Sequence, residues 1–246
     1  MKTVLNPLCM DFQKLLSDLP SAFEGSQRSI HKARNELKII QYEGERLVLK
    51  SFKVPGLLQR LIYTFLRPSK AERSYQNSLL LERFTPTPIG FVEYSRNGLL
   101  SHSYFLSECF EYDFTIREPL LDADFEDRDN VLKAFARFTL DLHNAGIFHK
   151  DYSPGNILIK RASEGGYQFK IVDVNRMRIQ AMDAEMRAKG FEKLWASDAD
   201  LQLIAEEYQS CAQVPDNFCE RVCHYSNKNK KIKNFKKRLK GKPVND

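Results

Sequence analysis

The stretch His149-Lys-Asp-Tyr-Ser-Pro-Gly-Asn-Ile-Leu-Ile159 restricts the fold of this 246-residue chain more than any other. It follows a long helical pattern and runs into an apolar strand, with Asp151 and Asn156 five residues apart in the connection. A second strand, within Phe169-Lys-Ile-Val-Asp-Val-Asn175, then delivers another carboxylate, Asp173. A capped turn in which Asp151 and Asn156 only satisfy backbone N–H groups is one account of the first stretch. The Asp–Asn spacing, the strand after it and the later Asp, taken in order, are more specific than that.

Phosphoryl transfer needs such a set: one carboxylate to orient an acceptor hydroxyl, with an Asn and a second carboxylate to hold Mg²⁺ on nucleotide phosphates. Hard oxygen ligands suit Mg²⁺, which keeps its other positions for water and phosphate. At these residues the chain resembles the protein-kinase-like superfamily. His149-Lys150-Asp151 with Asn156 matches H-R-D-x-x-x-x-N with Lys for Arg, and Asp173-Val174-Asn175 stands where D-F-G would. Leu47-Val-Leu-Lys50 stands where V-A-I-K would, on a strand after a β-turn. Glu72, in Lys70-Ala-Glu-Arg-Ser-Tyr75, is the carboxylate expected to pin Lys50, with Glu82 at the helix end as its rival.

Other elements follow from periodicity and turn chemistry. Phe12, Leu15, Leu16 and Leu19 predict a short helix over 11–24. Asn35–Tyr42 and Arg46–Phe52 read as strands joined at Glu43-Gly44-Glu45, and Ile89–Glu93 and Ser103–Ser107 as two more. Leu57, Leu58, Leu61, Ile62, Phe65 and Leu66 predict an amphipathic helix; periodicity favours its packing on the N-terminal part, and lipid contact is the alternative. A helix over 69–83 stops before Thr85-Pro-Thr-Pro88, and the clearest helix spans 125–145. The acidic run Asp122–Asp129 in front of it reads as capping and dipole compensation rather than a metal loop. Strands with one helix come first and a mainly helical half follows, an α+β arrangement.

The formal charge of +6 comes from 38 Lys+Arg against 32 Asp+Glu, but residues 228–246 hold nine basic side chains and only Asp246 as an acid. The remaining body is slightly acidic, which argues against a nucleic-acid-coating protein and leaves no specific nucleic acid expected. In the tail, Ile232, Phe235 and Leu239 recur at helical spacing among lysines, a basic amphipathic segment suited to an anionic membrane surface through 228–242. A solvated tail with incidental RNA affinity is the alternative. No stretch approaches the roughly 18 uninterrupted apolar residues of a membrane span. The apolar run at the N-terminus is broken by Asn6-Pro7, which predicts no signal peptide and a cytoplasmic protein. The five cysteines, odd in number and irregularly spaced, suit reduced thiols; Cys219-x-x-x-Cys223-His224 lacks a fourth zinc ligand and reads as a helix with two buried thiols.

The resemblance narrows further. Lys32-Ala-Arg-Asn35, Leu49-Lys-Ser-Phe-Lys-Val-Pro55, Arg67-Pro-Ser-Lys-Ala-Glu-Arg-Ser74, Thr85-Pro-Thr-Pro-Ile89 and Asp173-Val-Asn-Arg-Met177 are similar to the lipopolysaccharide core kinases, the Kdo/heptose kinase family, over most of residues 25–210. The resemblance implies a two-lobed protein-kinase-like fold: a small β-rich N-lobe over 1–107, a hinge and mainly helical catalytic C-lobe over 108–227, and the basic tail over 228–246. It implies a cytoplasmic enzyme, peripheral at the inner face of the membrane, that uses ATP and Mg²⁺ to phosphorylate a sugar hydroxyl, Kdo, on a lipid-anchored acceptor. By position, Asp151 is the catalytic base or hydroxyl-orienting residue, Asn156 and Asp173 bind Mg²⁺, Lys50 binds phosphate and Glu72 holds Lys50. A protein kinase, another small-molecule phosphotransferase and a membrane-tethered pseudokinase scaffold are the alternatives.

Two departures from the wider kinase pattern matter. No G-x-G-x-x-G is present; only Gly25 lies near the expected loop, followed by Ser26, Ser29, Lys32 and Arg34. No A-P-E follows Asp173, and the interval to the helical pattern at Asp183 is short, which favours a small-molecule or glycolipid acceptor over a protein. Asn175 in place of Gly is compatible with a left-handed backbone there.

Overall fold

The computed structural model describes residues 1–26, 29–32, 35–241 and 243; Arg34 and Lys242, named above, and the acid Asp246 lie outside the described residues. The chain forms two compact units. One comprises Met1–Phe110 with Asp173–Asn175, the other Glu111–Val172 with Arg176–Asp246.

In the first unit, strands β1 (Lys2–Leu5), β2 (Ser29–Lys32), β3 (Asn35–Tyr42), β4 (Glu45–Phe52), β5 (Pro88–Arg96) and β6 (Leu99–Glu108) form an antiparallel sheet in the order β1-β5-β6-β4-β3-β2. The β3–β4 hairpin closes through Glu43 and Gly44, both at positive φ, and the β5–β6 hairpin through Asn97 and Gly98 in the same way, the geometry that matches strand twist. The short helix expected over 11–24 divides in two, α1 (Gln13–Ser17) and α2 (Leu19–Gly25), because Asp18 leaves the helical region at φ −136°. Leu15, Leu16 and Leu19 from this segment pack on Ile40, Leu47, Leu49, Ile89 and Leu106. Gly90 allows the close approach: a Cβ there would fall 2.5 Å from Leu16 Cδ2 and 2.6 Å from Val4 O.

Successive strand side chains point to opposite faces. With Leu47 and Leu49 committed to the α1–α2 face, Lys50 shares the other face with Phe52, which packs with Phe91 and with Ala71 and Tyr75 of α4 (Lys70–Leu81). Between β4 and α4 lies α3 (Leu57–Phe65), the helix that the periodicity predicts, set against β6 of the first unit but with its apolar stripe uncovered. None of its residues is buried, and Leu57, Leu58, Leu61, Phe65 and the following Leu66 are exposed, the last at 80%. Polar bonds tether it instead: Arg60 donates to Leu100 O at 2.7 Å and to Arg96 O at 3.2 Å, and Thr64 Oγ1 accepts from Leu100 N at 3.0 Å.

The second unit is built on α6 (Arg128–Asn144), which follows a short strand β7 (Phe114–Thr115) and helix α5 (Arg117–Leu121). Val131, Leu132, Phe135, Thr139, Leu142 and His143 form its buried face. Two strand pairs come next in the chain: β8 (Ile147–His149) pairs with β11 (Met177–Ile179), and β9 (Ile157–Arg161) pairs with β10 (Tyr167–Ile171) and with β7. Gly146, at φ +72°, ends α6 and feeds β8; a Cβ there would meet Gln180 O at 2.7 Å. Helices α7 (Ala184–Gly190), α8 (Asp198–Cys211) and α9 (Phe218–Arg238) complete the unit, α7 and α8 capped by Asp183 and Ser197. Helix α9 runs through residue 228 without a break, so Lys228–Arg238 extend an element whose first half packs in the core through Phe218 and Val222.

The acidic run before α6 does not cap it by side chain as expected. Asp127 sits at the N-cap position in a left-handed conformation, and its carboxylate accepts from Asn130 Nδ2 and Tyr167 OH, both at 2.6 Å; Glu126 pairs with Arg161. Cys219 and Cys223 are half-buried on α9, and no group of three or more metal-ligating side chains occurs among the described residues. No helix among the described residues is long and apolar enough to cross a membrane.

Candidate active site

Lys50 and Asp173, 123 residues apart, meet in the first unit. Lys50 Nζ donates to Asp173 Oδ1 at 2.6 Å, and its ammonium lies 5.3 Å from the centroid of the Phe52 ring. The same carboxylate oxygen accepts from Asn175 Nδ2 at 2.6 Å. Asp173, rather than Asn175, takes the left-handed backbone, at φ +58°. Asp is one of the few side chains that tolerate this region, through short local hydrogen bonds. Helix α4 holds the turn from its own side, with Asn77 Nδ2 donating to Val174 O at 2.6 Å.

Glu72 is not brought to Lys50. It occupies the first turn of α4, where Ser69 Oγ accepts from its N–H at 3.1 Å, and its Oε1 lies 2.8 Å from Lys2 Nζ on β1. Ser69-x-x-Glu72 is a capping-box sequence, so the helix terminus accounts for both residues. The buried face of α4 is Ala71, Ser74, Tyr75, Ser78 and Leu81, which offers no carboxylate to Lys50. Glu82, the rival, is the residue that ends α4, at φ +42°. Near Glu72, burial raises the Glu93 carboxyl above the usual range, the Glu72 charge adds to this, and a Ser69 hydrogen bond and Lys2 oppose it.

In the second unit, the loop from β8 to β9 is pinned by its own backbone. His149 Nδ1 accepts from Asp151 N at 3.0 Å and its Nε2 lies 3.1 Å from Val172 O. A carbonyl can only accept, so the two bonds together require the neutral Nε2–H tautomer. Asn156 Nδ2 donates to Asp151 O at 2.9 Å, and Asn156 O accepts from Val172 N at 2.9 Å. The Asn156 amide nitrogen is thereby used internally, and Oδ1 is the atom left to face a cation. Tyr152, next to Asp151, is buried and stacks on Phe135 of α6 with ring centroids 5.8 Å apart. Its hydroxyl is 2.9 Å from Thr139 Oγ1, which itself donates to Phe135 O; Tyr152 is therefore the donor. Burial pushes the Tyr152 phenol far up, so it stays protonated.

This anchoring leaves the Asp151 carboxylate 41% exposed, 3.7 Å from Lys193 Nζ, whose ammonium also donates to Lys150 O. Asp151 and Asn156 are thus brought together, as are Lys50 and Asp173. Sequence reasoning missed Lys193, Tyr152 and Asn77. Lys193 falls between α7 and α8 where no periodicity singles it out, whereas a lone aromatic in a polar loop was a usable sign for Tyr152. Gly25 ends α2 and is not part of the β2–β3 connection, which runs through residues 33 and 34 outside the described residues.

No curated protein matches the chain in sequence. Among solved structures it is similar to "WaaP in complex with acyl carrier protein", with 18% identity, 94% of this chain and 99% of that chain covered, and a TM-score of 0.59. It is also similar to the kinase PK-1 of Cydia pomonella granulovirus, at 15% identity over 80% of this chain and 74% of that one, with a TM-score of 0.48. The first likeness shows a protein-kinase-like fold, with its antiparallel sheet N-terminal and its helices mainly C-terminal. The model of the lipopolysaccharide kinase (Kdo/WaaP) family matches residues 69–214, more than half of the sequence, and the chain belongs to that family.

Proposed function

We propose that this lipopolysaccharide kinase transfers the γ-phosphoryl group of ATP to a hydroxyl of an inner-core sugar, Kdo, on a lipid-anchored precursor. The observation that carries the reading is Asp151: its backbone is held by His149 and Asn156 while its carboxylate stays exposed with one ammonium nearby. Such a carboxylate can accept a proton from an incoming hydroxyl and align it in line with the phosphorus. Asn156 Oδ1 and the Asp173 carboxylate are hard oxygen donors that fit Mg²⁺, and Asp173 follows by one peptide bond the residue whose N–H bonds Asn156 O. Bound there, Mg²⁺ would neutralise charge on the nucleotide phosphates. Lys50, held by Asp173, has the compact charge suited to those phosphates.

Peripheral attachment to the inner face of the cytoplasmic membrane belongs to the same reading. Ile232 and Phe235 on α9 and Leu239 just after it stay exposed, beside the exposed Lys228, Lys231, Lys236 and Lys240. Basic residues near an anionic surface contribute about 1 kcal/mol each. The test is incubation with ATP, Mg²⁺ and a panel of core glycolipids, with mass spectrometry for one added phosphate. Product from a Kdo-bearing acceptor, lost in Asp151→Asn, is expected; labelling of a protein acceptor instead would overturn it.

A further inference from the structure

Three ammonium groups, those of Lys193, Lys233 and Lys237, gather around the Trp195 segment, and two of them feel the Asp151 charge. Lys193 Nζ lies 3.7 Å from Asp151 Oδ1. Lys233 and Lys237, one turn apart on α9, place Nζ 5.2 and 5.8 Å from the centroid of the Trp195 ring. Lys233 feels Lys193 and Lys237 as like charges, and Asp151 and Glu192 as opposite ones; burial first, then Lys193, pushes its pKa down. Neither Lys233 nor Lys237 has a carboxylate at ion-pair distance among the described residues.

The cluster is built rather than incidental. Lys230 Nζ donates to Ala196 O and Asn229 Nδ2 to Glu192 O, both at 2.7 Å, fastening α9 to the segment that carries Lys193 and Trp195. Trp195 takes φ +57°, a left-handed value that a bulky side chain rarely adopts. Strain of this kind persists where the surroundings enforce it, ligand clamps among them. Like charges held half-buried repel until a counter-charge reaches them. The described basic residues of the C-terminal stretch thus divide: Lys230, Lys233 and Lys237 turn inward on α9, whereas Lys228, Lys231, Lys236, Arg238 and Lys240 are exposed.

We propose that Lys193, Lys233 and Lys237, framed by Trp195, form the subsite for the acidic group of the acceptor saccharide, a carboxylate or phosphate, beside the hydroxyl that Asp151 orients. This rests on the acceptor reading given above. Three ammonium groups in one cluster, with Lys193 at the reacting carboxylate, select an acidic sugar over a neutral one and hold it by charge-assisted hydrogen bonds.

Trp195 is the only tryptophan, so its fluorescence reports the subsite without turnover. Titration with Kdo should change the emission saturably, and titration with Kdo methyl ester should not. Inorganic phosphate as a second titrant tells a phosphate-accepting site from a carboxylate-selective one, either of which supports the subsite. The double variant Lys233→Gln/Lys237→Gln should weaken the Kdo titration at least about tenfold, the loss of roughly one charge-assisted bond. Lys233→Arg/Lys237→Arg should restore most of it, and Lys160→Gln/Lys189→Gln, an equal charge change at exposed positions elsewhere in this unit, should leave it alone. In steady state the double variant should raise KM for the acidic acceptor by the same factor, with kcat and the KM for ATP within about twofold. An equal response to the ester, an unchanged titration in the Gln variant, or a rise confined to the KM for ATP overturns the subsite. A saturable titration without phosphoryl transfer keeps the subsite and overturns the activity; transfer with an unchanged acceptor KM in the Gln variant does the reverse.

Discussion

Lys50 Nζ stands 2.6 Å from Asp173 Oδ1, and that oxygen also takes the Asn175 amide, so a left-handed aspartate and its lysine close one network inside the first unit. The partner of Lys50 is therefore the residue proposed to hold the cation, and not an α4 carboxylate. Lys50→Met and Asp173→Asn should each lower kcat/KM about 10²–10³-fold, the usual loss when a preorganised charge on the reacting group is removed. Glu72→Gln should stay within a few-fold of wild type, because Glu72 pairs with the half-exposed Lys2 and such pairs contribute about 0–1 kcal/mol. A loss for Glu72→Gln equal to that of Lys50→Met in the same kinetic assay would show that turnover uses a different pairing.

Asp151 predicts a separation of activity from stability. Its loop is fixed through backbone groups, His149 and the buried Tyr152, none of which needs the Asp151 charge. Asp151→Asn should therefore lower kcat by about 10²–10⁴, the range for losing a positioned acid or base. Thermal stability should barely move, because the contact with Lys193 is long and half exposed. Differential scanning calorimetry alongside the kinetics checks both halves; a large drop in Tm would mean that the carboxylate is structural.

A pH dependence of stability follows from His143. Its Nδ1 is 3.0 Å from Tyr208 OH, and Tyr208 OH accepts from Arg187 Nη1 at 2.9 Å, so the phenol donates to a neutral imidazole. Burial, with Arg187 adding to it, pulls the His143 pKa down to about 3 from the ordinary 6.5. Below 6.5 the unfolded chain takes up a proton that the native state refuses until about pH 3, so stability falls with pH across that window. The slope approaches about 1.4 kcal/mol per pH unit, and above 6.5 the contribution is complete. Urea melts should lose about 1.6 kcal/mol between pH 6.5 and 5 from this group alone. His143→Gln, which keeps an acceptor for Tyr208, should flatten that slope; an unchanged slope would assign it elsewhere.

Much of this is legible in the amino-acid sequence. The strands around Lys50, the helix before His149 and the loop from Asp151 to Asn156 carry local signals, namely alternation, helical period and turn residues. The partner of Lys50 was not legible, because it depends on which face of α4 is buried and on the backbone conformation of Asp173, both set by tertiary packing. Glu72 looked like a partner by order in the chain, yet Ser69 three residues earlier marked it as a capping residue. Helix α3 was legible as a helix on the first unit but not in its exposure, because an apolar stripe gives the period of a helix but not what covers it. The C-terminal lysines were legible as a charge run, whereas their division into inward and outward sets appears only once α9 is seen packed against Trp195.

That division makes the membrane reading testable without disturbing the cluster at Asp151. Phe235 and Leu239 are 61% and 71% exposed, so charging them removes no core contact. Burying such side chains in the headgroup region is favourable by about 1.5–3 kcal/mol each when complete. Neighbouring lysines add attraction that salt weakens, with a Debye length of about 8 Å at 0.15 M. Phe235→Glu/Leu239→Glu should abolish co-sedimentation with phosphatidylglycerol vesicles while leaving phosphorylation of a water-soluble acceptor intact. Raising the salt should weaken wild-type binding to the same vesicles and leave binding to neutral vesicles weak throughout. Unchanged sedimentation of the double variant would remove α9 from the membrane contact and direct attention to the exposed leucines of α3.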